Sequence, residues 1–282
     1  MVSLNVMDTN DNVEFNVELF DDCDMLMHMH YSDSVIFLGV SKWNRSLVFE
    51  KGNKENGPKL KAQPGKPGCY AIGGQVNVTQ DFKGDFSIYV ELRRSASRKR
   101  VSHLLLQDYQ RAPAEPCINQ RSNGCGGFGS CLYCNVCKSL GAATGVSAQL
   151  LKNGKSIDCE EGLSRGIHNN IELEFCVPPL KEILAAQGLS REILLSVVQS
   201  ETGNTDQTIN IFITIYIFKK DVSKLMQTQT KVIALYRRNK KSSNKNEPLP
   251  TNVYWSLPFN AMIKNERLFT ACHIIHGRVR IE

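Results

Sequence analysis

A chain of 282 residues with 41% hydrophobic and 22% charged residues can hold one large or two ordinary domains, and its balance is that of a globular protein. The formal net charge of +6 and a pI near 8.7 suit an acidic partner, nucleic acid or anionic lipid, but the excess comes largely from two runs, RRSASRKR at Arg93–Arg100 and YRRNKKSSNK at Tyr236–Lys245, which read first as solvated loops. No run of 18 apolar residues occurs, the longest candidate being the ten residues Ile209–Phe218, so no transmembrane helix is expected.

The first twenty residues show no basic start followed by an apolar stretch, so no secretory signal is read there, and that alone points to the cytosol. Ten cysteines, five of them between Cys117 and Cys137, point to an oxidising compartment, and the two signals conflict. VEFNVELF at Val13–Phe20 alternates like a strand, as SVIFLGV at Ser34–Val40 does more loosely. The Lys-, Gly- and Pro-rich stretch Lys51–Gly68 reads as a linker or long exposed loop, which sets a boundary there.

From Cys69 the pattern is that of strands. In DFSIYVEL, Phe86, Ile88, Val90 and Leu92 share one face while Ser87, Tyr89 and Glu91 share the other. IELEF places Ile171, Leu173 and Phe175 inward and Glu172 and Glu174 outward. Glu192–Ser200 carries Ile193, Leu195 and Val197 on one face, and Ile209–Phe218 sets five isoleucines against Asn210, Phe212, Thr214, Tyr216 and Phe218. The turn-rich ETGNTDQT between these last two makes them an expected antiparallel pair. Helical signal is sparse: PLKEILAAQGLS at Pro179–Ser190 and KSLGAATGVSAQLL after Cys137 are two short candidates. Short strands with turn signals predict an all-β, antiparallel sandwich or barrel. After Phe218, KVIALYRR fits a strand or a helical turn, and the tail beyond it suggests no function.

The cysteine cluster has two readings. Disulfides staple the loop, or Cys125, Cys131, Cys134 and Cys137, in C-x5-C-x2-C-x2-C spacing, supply zinc thiolates. Ligands two residues apart crowd one turn, and His168 or Cys159 would have to complete such a site. Catalysis has little support: the pairs His28/His30 and His273/His276 lack an organised nucleophile, and neighbours such as Cys272 and His273 point to opposite faces of a strand. No catalytic residue, metal or cofactor is therefore assigned. GCGGFGS shares only its glycine content with a phosphate-cradling loop.

GGQVNVTQDFKGDFSIYVEL, then PC, GSCLYCNVC, CEEG and IELEFCVPPLKEILAAQGLSREILLSVVQSETGNTDQTINIFITIYI, follow one another in an order that resembles the ganglioside activator family, small secreted proteins related to the lipid-recognition (ML) domains. The resemblance covers roughly residues 69–218. It implies an antiparallel β-cup with an apolar interior and disulfide-stapled loops, which extracts a glycolipid from a membrane and presents it to a glycosidase. Carried over, Cys117 would pair with Cys131 and Cys137 with Cys159, and Asn77-Val78-Thr79 would match the family's glycosylation sequon. The cavity would be lined by Phe86, Ile88, Val90, Phe175, Leu195 and Ile213, with a rim loop Val177–Leu189 offering Leu180, Ile183, Leu184 and Leu189.

The chain departs from that pattern in several places. Thr208–Phe218 holds no cysteine, so Cys69 or Cys23 lacks the family's partner; Cys125, Cys134 and Cys176 are additional, with Cys125–Cys134 one pairing open; and the rim loop has no tryptophan. The segment from Arg93 to Glu115 and both extensions, residues 1–68 and 219–282, are foreign to it. The expected function is non-enzymatic lipid binding and transfer in a secreted or lysosomal setting, with a lipid ligand, a glycosidase and transient membrane contact as partners. An intracellular zinc-stabilised module binding nucleic acid or protein is the alternative. So is a β-sandwich interaction domain with a filled core, because alternation alone fits a filled sandwich as well as a hollow one.

Overall fold

Alternating apolar residues bury one face of a strand, and in this chain they build two antiparallel sheets laid face to face. The computed structural model describes residues 13–21, 46–50, 52–53, 59–66, 69–95, 114–118, 120–127, 129–136, 147–158, 160–176, 208–219, 221–240, 249–266 and 269–281. The strands are β1 (Val13–Asp21), β2 (Leu47–Phe49), β3 (Gly52–Asn53), β4 (Lys59–Ala62), β5 (Cys69–Val78), β6 (Ser87–Ser95), β7 (Cys131–Tyr133), β8 (Ser147–Lys152), β9 (Lys155–Ser156), β10 (Gly166–Cys176), β11 (Thr208–Phe218) and β12 (Ala271–Ile281). Sheet A runs β3-β1-β12-β11-β6-β7, and sheet B runs β2-β5-β10-β8-β9 with β4 also on β5. The expected all-β sandwich is the fold.

Between the sheets lies a core of inward-facing residues, among them Tyr70, Ile72, Val76, Phe86, Ile88, Ile171, Ile215, Ile217 and Ile275. The opposite face of sheet A is buried as well. Three helices among the described residues, α1 (Ser223–Asn239), α2 (Thr251–Ser256) and α3 (Pro258–Glu266), cover it, and Met226, Phe259, Met262 and Ile263 pack on Tyr89, Phe212, Tyr216 and Phe218. This explains the two apolar faces of β11: the isoleucines face sheet B, and the aromatics face the helices. KVIALYRR belongs to α1, whose first turn opens with the Ser223 N–H donating to the Asp221 carboxylate at 2.9 Å. The Ser223 side chain first, and then this N–H, hold the Asp221 carboxyl below the usual carboxylate range.

Several expectations from the sequence are corrected. Lys51–Gly68 is more than a linker: β4 pairs with β5 from Lys59↔Gly73 to Ala62↔Tyr70, because the alternation KLKA suits a sheet edge and Pro64-Gly65 turns the chain into β5. The second helical candidate gives β8 at its C-terminal half, since Ser147–Lys152 pairs in register with Ile171–Cys176. Both edges of β11 are taken, by β6 and β12, which leaves no edge for the hairpin expected with Glu192–Ser200, a segment outside the described residues. Ser34–Val40, Pro179–Ser190, His28 and His30 also lie outside them. The segments read as extensions are built into the same sheets, because β12 sits between β1 and β11 and β2 pairs with β5.

Arg93 does not begin a solvated run. It is 1% exposed under α2, and its guanidinium pairs with the equally buried Glu91 two residues back on the same face of β6. The arginine also lies over the rings of Tyr254 and Trp255, at 5.0 and 5.2 Å. The Tyr254 hydroxyl donates to Glu91 and meets the Tyr89 hydroxyl at 3.1 Å. Burial first, and then the Glu91 charge, push the Tyr254 phenol well above its ordinary value, so it remains a donor. Nearby, the Gln229 side-chain oxygen of α1 accepts from the Phe259 and Asn260 N–H groups at 3.0 and 3.2 Å, capping α3 from another helix.

Candidate binding cavity

The cysteine loop is stapled twice, by Cys117–Cys131 and Cys125–Cys134, and a third bond, Cys69–Cys176, ties β5 to β10. The first is the pairing implied by the resemblance; the other two join cysteines for which it gave no partner. Cys137 and Cys159 lie outside the described residues. Cys272 is disulfide-bonded too, with a partner outside them. Three of the four thiols a zinc knuckle would need are thus committed to sulfur–sulfur bonds. In the chain-entropy account a loop of about 15 residues contributes about 3 kcal/mol and one of about 100 about 4.7 kcal/mol. Of the three bonds whose two partners are both described, Cys69–Cys176, spanning 107 residues, therefore contributes the most.

Glycine is required inside that loop for closeness, not for phosphate. Gly127 has φ +111°, and a Cβ there would stand 2.5 Å from the Ile118 carbonyl and 2.8 Å from the Cys117 Sγ. The loop docks on α1: Gln227 Nε2 donates to the Asn123 carbonyl at 2.9 Å, and Thr230 Oγ1 donates to Gln120 Oε1 at 2.7 Å. Its place is between the edge of sheet A and the helical layer.

The cavity itself lies between the sheets. Its lining is nearly all apolar and is drawn from both layers: Phe49, Ile72, Leu150, Ile171 and Leu173 on sheet B face Ile88, Ile215 and Ile217 on sheet A and Phe86 just before β6. Gly73 and Gly74 bring the β5 backbone to its wall, where a Cβ on Gly73 would meet Glu172 Cγ at 2.5 Å. The enclosed space is about 30 Å³. That holds a water or two, since each needs at least about 10–15 Å³. It falls well short of the roughly 300–1,000 Å³ of a ligand pocket.

Of the residues the resemblance implies, Phe86 and Ile88 line this cavity, and Val90 and Ile213 pack on the same core from the same face. Phe175 lies in β10, paired with Ala148 and Tyr70, and its side chain is outside the described residues, as are Leu180, Ile183, Leu184, Leu189 and Leu195. Asn77 and Thr79 are both exposed on the outer side of β5, where a glycan has room. Phe49, Leu150 and His273 were missed. Leu150 lies in a segment read as a helical candidate, Phe49 in the stretch between Val40 and Lys51 given no reading, and His273 in a tail given none either.

His273 is the ionisable group set deepest in the wall. It is 4% exposed, with its ring 5.0 Å from that of Phe49, while Cys272 faces the helices. Glu50 lines the same space from the end of β2. Burial holds the His273 imidazole at about 3, far below its usual 6.5. The native ring is neutral, and unfolding releases one that takes up a proton below about pH 6.5. Between about 6.5 and 3 the unfolded state binds more protons, so stability falls as pH falls, by at most about 1.4 kcal/mol per unit. Urea midpoints measured at pH 7 and pH 5 are expected to drop in the wild type and to drop distinctly less in His273→Phe. Equal drops would show that another group governs the acid response.

Fold and cavity together define a disulfide-stapled antiparallel β-sandwich with a helical layer on one sheet. No protein-family model and no curated protein matches the chain.

Proposed function

We propose that this protein is a non-enzymatic lipid-binding and transfer protein that takes an acyl chain between its two sheets. The observation that carries this reading is the apolar lining of the cavity, contributed by strands of both sheets and interrupted by few polar groups. The closed space is small, so uptake requires the lining side chains to repack or the sheets to part. Each buried methylene contributes about 0.8 kcal/mol, so a chain of about 16 carbons gains about 13 kcal/mol against that cost. The disulfides are compatible with an extracellular or lysosomal setting. Presentation of a glycolipid headgroup to a glycosidase is the finer form of this proposal, and it rests on the resemblance.

The small volume favours a second reading, a filled-core sandwich that serves as an interaction domain. Solvent extraction of natively purified protein, followed by mass spectrometry, separates the two. Lipid at close to one per chain is expected. No extracted lipid, together with no transfer of a fluorescent acyl lipid between vesicles, would leave the filled core standing.

A further inference from the structure

We infer that the exposed face of α1 is a docking surface for anionic membrane lipid. This deepens the lipid-handling reading and takes from it the choice of a membrane as partner. Helix α1 holds Lys224, Lys231, Arg237 and Arg238 and not one acidic residue across its 17 positions. Lys224, Lys231 and Arg238 recur every seven residues, nearly two full turns, so they fall in one stripe, and all three are exposed. Met226 and Gln229 on the opposite side are buried, which turns that stripe away from the body.

Beside the stripe stand Val232 and Leu235, 40% and 51% exposed, two of the three large exposed hydrophobics among the described residues. Cations alone would serve a phosphate backbone as well as a leaflet. Cations flanking two exposed aliphatic side chains match a membrane interface, where headgroup charge meets the acyl boundary. Nucleic acid gives Val232 and Leu235 nothing to do. Because α1 lies on the outer face of sheet A, docking there leaves the inter-sheet cavity unobstructed.

Sedimentation of the full chain with vesicles tests this, using phosphatidylcholine alone and phosphatidylcholine with about one third phosphatidylserine, at low and high salt. Binding to the anionic vesicles only, weakened by salt, is expected. The triple variant Lys224→Glu/Lys231→Glu/Arg238→Glu should lose on the order of tenfold or more. Val232→Ser/Leu235→Ser should also lose affinity, by several fold, with unfolding midpoints unchanged in both because the residues are exposed. Equal binding to both vesicle types, or undiminished binding by either variant, overturns the assignment. So does binding to single-stranded RNA that needs the cations and ignores Val232→Ser/Leu235→Ser. If vesicle binding depends on α1 while extraction yields no lipid, the cavity reading fails and this one stands.

Discussion

Glu91→Ala is expected to lower the free energy of unfolding by about 3–5 kcal/mol, measured by urea titration at neutral pH. The carboxylate and the Arg93 guanidinium are both 1% exposed, so removing one strands the other charge in a place water does not reach. The Tyr254 hydroxyl loses its acceptor in the same step. The net value of the pair is smaller than this, because both groups gave up their hydration to meet. The double variant Glu91→Leu/Arg93→Met is therefore expected to recover most of the loss, since it removes the stranded charge and keeps the volume. A single-variant loss under about 1 kcal/mol would mean that the pair is hydrated in solution and that α2 does not seal it.

Phe259→Ala is expected to cost about 3–5 kcal/mol. The ring is fully buried, 4.8 Å edge-on from Tyr89 and 5.8 Å from Phe218, and so it joins α3 to β6 and β11 at once. If the helical layer were an appendage, the variant would shed it and leave the sandwich melting as before. Burial of the outer face of sheet A by the helices implies one cooperative unit instead. Far-ultraviolet and near-ultraviolet circular dichroism should then report the same lowered midpoint. Two separated transitions would overturn that view.

The strands legible from the sequence were those in which alternation does not depend on distant partners. β1, β6, β10 and β11 follow from their own residues, and so does the sandwich class. β12 was not legible, since ACHIIHGRVRI is apolar on both faces near its start, and only its burial between β1 and β11 makes that pattern informative. The same holds for Arg93. In the sequence it opens a basic run, and only the fold places Glu91, Tyr254 and Trp255 around it. In the cavity, Phe86 and Ile88 were legible from period two, whereas Phe49 and Leu150 depend on the register between sheets, which no local pattern encodes.

The pairing of β1 with β12, from Val13↔Ile281 to Asp21↔Ile274, also bears on how the molecule is made. A strand near the start of the chain waits for a partner more than 250 residues later. At about 5–20 residues per second of synthesis, that wait is on the order of tens of seconds. β11 waits too, though only for the roughly 54–72 residues that separate its partners from Ile217↔Ala271 to Thr208↔Arg280, since one of its two edges belongs to β12. Sheet B can assemble earlier, because its described strands all lie before residue 177. The pairings of sheet B are thus available first, and one edge of β11 has no strand to pair with until β12 has been made. In that interval its alternating isoleucines are the segment most in need of protection from a neighbouring chain.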